Sequence, residues 1–587
     1  MHLTTPLLLA LAAAANPASA LPFAFSNTLG DYAVVQLPVV VWGTGAPGAK
    51  VSVTAAVSPS SLAPRAVPAV TATVGADGIW RAPLALIEQG LTPVSISAAT
   101  SSGKTITTLT IRDVLVGKVV LCAGQSNLEL VSVSKAFNAT AELAACGSFP
   151  GVRIARTTDT NAWSGPLVDL PTMQQPWAVP SPTNCAAFSA TCWFTARDLS
   201  LALGGNTPVG VVQSAVGGTA LRNWVPTRAL ASCSQPWSDP HHYGYHPYTH
   251  STLYNGMVAP FGTGPTTFSL VVWDQAESDS YPQTLPGYYG CQTLAHVNSW
   301  RALLQDATLP WILVHLQPYT GSESGASPPQ VAAGALWGDP LAELRHAQLA
   351  ALQLGHVGYA SAMDLGDSTS PYGNVHFQNK QVLSARIVDV AMAVAFVGNA
   401  AADDSNYAYP APAFLSQRPG KVGGGCAMTV AFFRPTKETG ASLWKLAIGT
   451  TPDPGTNGTS AVCPTHVQPQ PTASPPVNAS DCGGYELLCT PYGAFAPSTW
   501  VPATATLSAD GRSLFMVAKA HGTRKNGANE TNETQLVARG SRYAWSAWPL
   551  ASLFTVGNAG VGKIKLPVLP WNQGLTCTNG EVPGSPC

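Results

Sequence analysis

Four short segments carry residue types that could act together on an ester. Gly124-Gln125-Ser126-Asn127 follows directly on the apolar run Val116–Leu121. A serine at a strand end, entering a helix, presents its hydroxyl above a sheet, and the neighbouring backbone N–H groups can stabilise an oxyanion. Ser126-Asn127-Leu128-Glu129 also fits a capping box, in which Ser126 merely starts a helix. Gly217-Gly218-Thr219 follows Val209–Ser214, and glycines there permit close approach of backbone to a ligand, or simply a tight turn. Trp273-Asp274-Gln275-Ala276-Glu277-Ser278-Asp279 follows Ser269–Val272. Its carboxylates suit catalysis, or equally the first turn of a helix, and Gln275 could donate to an oxyanion. Asp364-Leu365-Gly366-Asp367 and Gly373-Asn374-Val375-His376 follow Gly358–Met363. An acid and a histidine on one loop is what a serine hydrolase needs: the imidazole takes the serine proton and the carboxylate fixes its tautomer.

A second cluster argues for metal at first sight. His241, His242, His246 and His250 fall within ten residues, but Gly244 and Pro247 break any helix that would align them, and the spacing with Cys or Asp/Glu usual in metal sites is missing. These histidines read as a polar loop near the pocket, and neither metal nor other cofactor is expected.

The apolar runs that precede the four segments, with Trp311–Leu316, read as buried strands. Ala190–Leu203, Gln292–Leu304, Leu341–Leu354 and Asn379–Val397 between them read as helices. Strand–helix alternation predicts an α/β fold with a doubly wound parallel sheet, whose sites gather at the carboxyl ends of the strands. This catalytic domain is expected over 114–400. Residues 21–113 carry short Val/Ile/Thr-rich runs (Val34–Leu37, Val39–Trp42, Lys50–Ala55, Val70–Val74, Val94–Ala98, Thr105–Ile111) separated by turn signals, which predicts a β-sandwich. Strand-like runs return at Ala427–Phe433, Thr504–Leu507 and Leu514–Lys519, so a β-rich domain is expected over 401–587, with Val462–Asp481 as a Pro/Thr/Ser-rich loop.

Residues 1–20 read as a signal peptide, with an apolar run Leu7–Ala15 and a small-residue cleavage site Ala18-Ser19-Ala20. Twelve cysteines without a C-x-x-C pair point to disulfides, and N-x-S/T sequons at Asn138, Asn457, Asn478, Asn529 and Asn532 point to glycosylation. The chain is thus expected to be secreted or lysosomal. Only 10% of its 587 residues are charged and the formal net charge is −1, which disfavours nucleic acid and anionic membrane as partners. No later apolar run is long enough to span a bilayer.

With these segments in view, the sequence resembles the sialate O-acetylesterase family of the SGNH hydrolase superfamily. The resemblance runs through Phe23–Val51, Asp113–Leu130, Thr191–Leu199, Ala215–Trp224, Leu253–Asp279, Arg345–Gln348, Ala362–Lys380 and Arg542–Leu550, in the family's order. It implies Ser126 as nucleophile and His376 as base, with an oxyanion hole from the N–H groups of Ser126 and Gly218 (or Gly217) and the amide of Gln275. Asn127, Asn255, Glu277 and Asn374 would complete the pocket. Many bacterial relatives carry an aspartate where this chain has Asn374, so the orienting acid falls to Asp367, with Asp364 next. Ala276 stands for a glycine, Asp274 for an aromatic and Phe377 for a proline. The implied reaction is hydrolysis of an acetyl ester on a sugar hydroxyl, the partner being an O-acetylated sugar or glycan. An esterase for acetylated plant or algal polysaccharide, and a glycan-binding protein with decayed catalysis, are the alternatives.

Overall fold

The computed structural model describes residues 21–396, apart from 58–64, 85–87, 159–162, 234–249, 265–266, 281–285, 320–339 and 368, and beyond 396 only strands and a few adjoining residues between 413 and 574. The expected signal peptide, the Pro/Thr/Ser-rich loop, four of the five sequons and His241, His242 and His246 lie outside the described residues. Asn138 lies within them and is exposed.

The centre is a seven-stranded sheet: β1 (Lys118–Gly124), β2 (Val152–Thr157), β3 (Met173–Ala178), β4 (Val209–Ala215), β5 (Leu270–Asp274), β6 (Trp311–His315) and β7 (Val357–Ser361), in the order β3-β2-β4-β1-β5-β6-β7. All neighbours are parallel except β3, which runs antiparallel to β2 at one edge. The sheet is therefore mixed, where an all-parallel one was expected. β2 escaped the sequence reading because Arg153 and Arg156 interrupt its apolar run. Arg153 is buried all the same, its terminal guanidinium nitrogens held by Asp113 at 3.3 Å and by the carbonyls of Pro150 and Val152.

Alternate residues of β1 enter opposite cores, as the pleat requires. Leu121 and Ala123 join one cluster; Val120 and Cys122 join the other. The first face is covered by α3 (Pro286–Leu303) and α4 (Pro340–Gln348). The second is covered by α2 (Ala190–Ala202) and α5 (Lys380–Ala391). Both faces are thus sealed, which explains why these strands read as continuous apolar runs rather than alternating ones. Two disulfides cross-link the layers: Cys122 of β1 to Cys192 of α2, and Cys233 to Cys291 of α3. On the α3 side His296 is fully buried among Trp273, Trp300 and Trp311, with ring centroids 4.2, 4.6 and 5.0 Å away. Burial pushes its pKa down to about 3, so it is neutral and serves as a flat packing element.

Before this layer, a three-stranded and a five-stranded sheet share one core that includes Val41, Val53, Trp80 and Ile96. The strand Lys50–Val57 alternates exposed and buried residues over its first six positions, the signature of a sheet with one wet face. After residue 396 the described elements are all strands in antiparallel sheets; they include Gly425–Phe433, Thr504–Leu507 and Ser513–Lys519. Among the described residues no helix is long and apolar enough to cross a membrane.

Candidate active site

The strand order places β1 between β4 and β5, so the carboxyl ends of these three strands are neighbours at a topological switch point, where doubly wound sheets bind ligands. Close backbone approach builds this corner. Gly124 pairs with Asp274, the Gln125 N–H donates to the Asp274 carbonyl at 3.0 Å, and a Cβ on Gly124 would lie 2.0 Å from that oxygen. The short helix α1 (Ser126–Glu129) then begins at once, with Ser126 and Asn127 buried.

The capping-box alternative fails here. Gln125, not Ser126, is the N-cap, and it makes no side-chain cap bond. Glu129 reaches instead to the loop after β4, accepting the Gly217 N–H at 2.5 Å, while Arg156 of β2 lies 3.6 Å from its other oxygen. Gly217 is pressed against the serine: a Cβ there would stand 3.2 Å from the Ser126 Cβ. The Gly217 N–H is thus committed to Glu129. The N–H of Gly218, held at a φ of 69°, has no acceptor among the described residues. Its neighbour Gly217 packs against Ser126 at the start of α1.

Gln275 departs from expectation. It is buried, and its Nε2 faces three acceptors: Asp279 at 2.7 Å, Gln125 Oε1 at 3.1 Å and the Thr219 carbonyl at 3.1 Å. Its Oε1 accepts from the Tyr289 hydroxyl at 3.0 Å. An amide nitrogen has two hydrogens, and in this structure those of Gln275 are taken up by acceptors on the loops after β1, β4 and β5. Asp279, raised in pKa by burial, is held in turn by the Leu221 N–H at 2.8 Å.

His376 is buried on the loop after β7, and its Nδ1 lies 2.7 Å from the Tyr372 carbonyl. A carbonyl can only accept, so Nδ1 carries the proton and Nε2 is the basic nitrogen. The two aspartates expected to orient this ring face elsewhere. Asp364 forms a bidentate pair with Arg386 of α5 at 2.5 and 2.7 Å. Asp367 closes a turn on the N–H and hydroxyl of Thr369, at 3.0 and 2.9 Å.

Serine and histidine loops meet through one residue each. Asn127 Nδ2 donates to the Val375 carbonyl at 3.0 Å and also to Glu277 Oε1. Its Oδ1 accepts from Lys380 Nζ at 2.7 Å. Gln317, just past β6, donates to the same two oxygens, at 3.0 Å to Glu277 and 2.9 Å to Val375. Two further buried charges flank this network. The pKa of Asp274 is pushed up to about 7 by burial, against the pull of Lys380 and with the repulsion of Glu277. That of Lys380 is pushed down to about 8 by burial, against both carboxylates.

Asn255 lies apart from this centre in its bonding, its amide on the Trp163 carbonyl at 2.9 Å, where it pins the 163–167 loop. Asn374 is half-buried in the turn ahead of His376. Gln317, Tyr372 and Lys380 went unnoticed in the sequence. Gln317 follows a strand as the other site residues do, and Lys380 lies four residues past the histidine.

This arrangement of strand ends can be compared with known proteins. A family profile described as "Carbohydrate esterase, sialic acid-specific acetylesterase" matches residues 116–388, which spans the whole central sheet and most of α5. The protein is accordingly a carboxylic-ester hydrolase with an α/β catalytic layer. Sialate O-acetylesterase of Pongo abelii is 30% identical over 405 residues, covering 65% of this chain and 73% of that one. The Homo sapiens sialate O-acetylesterase is 29% identical over the same length and coverage. The chain belongs to the sialate O-acetylesterase family. Its fold also matches the crystal structure of a carbohydrate acetylesterase from Xanthomonas citri, with a TM-score of 0.65 and 22% identity over 94% of this chain and 99% of the other.

Proposed function

We propose that this protein removes acetyl groups from sugar hydroxyls, those of sialic acid in particular, through an acetyl-Ser126 intermediate. The observation that carries the reading is the Asn127–Val375 hydrogen bond, which joins the residue after the serine to the residue before the histidine. His376 Nε2 takes the Ser126 proton as Oγ attacks the acetyl carbonyl. The Ser126 and Gly218 N–H groups receive the developing oxyanion, and His376 returns the proton to the departing sugar oxygen. Water repeats the sequence in the second half-reaction. Neither half needs redox chemistry, and His376 and the backbone donors cover each proton and charge.

The family's relatives support sialic acid as the substrate class, and the two disulfides agree with a chain made with a signal peptide over 1–20 and delivered to the lysosome or the cell exterior. We read 21–113 as a β-sandwich domain and the strands after 400 as a further β-domain.

Acetate release from 9-O-acetyl sialic acid and from acetylated xylan, measured beside Ser126→Ala, tests this reading. Serine-dependent release from sialic acid supports it whole. Release from xylan alone moves the substrate to polysaccharide, and release from neither supports glycan binding without catalysis.

A further inference from the structure

The ring of His376 has a backbone carbonyl where a serine protease places its aspartate, and a buried carboxylate stands one layer further back. Glu277 Oε1 receives the side-chain amides of Asn127 and Gln317, and each amide gives its second hydrogen to the Val375 carbonyl. Two amides, two acceptors and four hydrogen bonds thus form a closed set in which every N–H is used. The amides come from the ends of β1 and β6, which flank β5 in the sheet, and Glu277 follows β5. All three side chains are at most 4% exposed, so water cannot replace a lost partner. Lys380 fixes the far side of Asn127, and its ammonium sits 3.5 Å from the centre of the Phe377 ring, the residue after the histidine.

We propose that Glu277 is a positioning residue that acts on His376 through the main chain. Its carboxylate sets the rotation of the Asn127 and Gln317 amides. The amides grip the Val375 carbonyl, and the grip fixes the peptide from which the imidazole projects. Glu277 itself touches no reacting atom. An acceptor oxygen is needed at this place because it must accept from two amides at once, and an apolar side chain would leave both with a buried, unmatched N–H. Asn127 has a second duty, since α1 begins with its neighbour Ser126, so the same clamp registers nucleophile against base.

The proposal rests on the catalytic reading above, and its test separates the two. In the full chain, Gln317→Glu keeps the size of the side chain but turns an oxygen toward two acceptors. It should lower kcat on the order of 100-fold, the scale of a small misplacement of a catalytic group, with KM changed less than about threefold. Glu277→Leu should do the same, and Glu277→Gln, whose amide oxygen still accepts, should recover kcat to within about tenfold of the native chain. The Glu277→Leu/Gln317→Glu double variant should be no worse than the poorer single one, because both act through one carbonyl. A native kcat in folded Gln317→Glu overturns the clamp, as does a Glu277→Gln chain as inactive as Glu277→Leu. If Glu277→Leu fails to fold, the two isosteric variants still decide. Acetate release that survives Ser126→Ala overturns instead the catalytic reading, whatever the clamp variants do.

Discussion

His376 Nδ1 and the Tyr372 carbonyl, four residues apart on one turn, lie 2.7 Å from each other. This bond fixes the tautomer with main-chain atoms, which no side-chain substitution can delete. Asp367 is turned to Thr369, so Asp367→Asn should leave kcat within about threefold of native, whereas His376→Ala should abolish acetate release, a loss of about 10,000-fold or more. Steady-state kinetics on the two variants checks this. A loss of 100-fold in Asp367→Asn would reinstate an acid on the histidine.

Asp364 has a different task. Its pair with Arg386 is bidentate and nearly dry, with side chains 8% and 4% exposed. Removing one member of such a pair strands the other charge, at a cost of about 3–5 kcal/mol. Asp364→Asn should therefore lower the unfolding midpoint sharply, as read by denaturant titration. Unchanged stability with lost activity would reverse the assignment.

A Cβ added at Gly217 would stand only 3.2 Å from the Ser126 Cβ, and the Gly217 N–H holds Glu129. In Gly217→Ala the new methyl group meets the serine and the carboxylate together. We expect kcat to fall about 100-fold with thermal stability reduced by only a few degrees. Calorimetry beside the kinetic assay separates this from simple unfolding.

Gln275→Ala should damage the fold more than the chemistry. It leaves Asp279, Tyr289 and the Thr219 carbonyl without their common partner, and each unmatched buried group costs about 1–3 kcal/mol. An oxyanion donor would instead show a 100- to 1,000-fold loss in kcat at full stability. Comparing unfolding midpoints with kcat for this one variant distinguishes the two roles.

Acid should expose His296. Its folded pKa, about 3, lies below the ordinary imidazole value of 6.5, so the unfolded chain binds a proton that the folded chain refuses. The stability linked to it is full above pH 6.5 and drains as pH falls toward 3, at about 1.4 kcal/mol per pH unit. His315, buried and also lowered to about 3, adds a similar slope. Against the native chain, His296→Leu should gain relative stability steadily from pH 6.5 down to 4.5 in denaturant titrations. A pH-independent difference would mean that His296 is protonated inside the tryptophan cluster.

The site's corner was legible because each of its residues follows a strand that announces itself by an apolar run: Ser126, Gly217 and Gln275 sit within a few residues of such a run's end, and His376 on the loop that follows one. Bond partners were not legible. Asp364 and Asp367 have the right type and loop for a triad acid, yet Arg386 lies 22 positions on from the first and Thr369 two from the second, and spacing alone does not rank these against His376. Gln275 had the opposite problem: its sequence position allows an oxyanion donor, and nothing in the sequence places Asp279 and Thr219 around its amide. The strand Val152–Thr157 stayed hidden because a buried arginine satisfied by carbonyls looks, in sequence, like a surface one.

The Asn127–Val375 bond spans 248 positions, and this distance sets when in the life of the chain the esterase can exist. During synthesis the serine corner is complete long before the base is made, since β1, β4 and β5 all precede β6, β7 and α5. A chain that ends before residue 376 would hold Ser126 without the histidine we propose as its base. Acetate release from such a protein would therefore report that the loops after β1 and β7 have met.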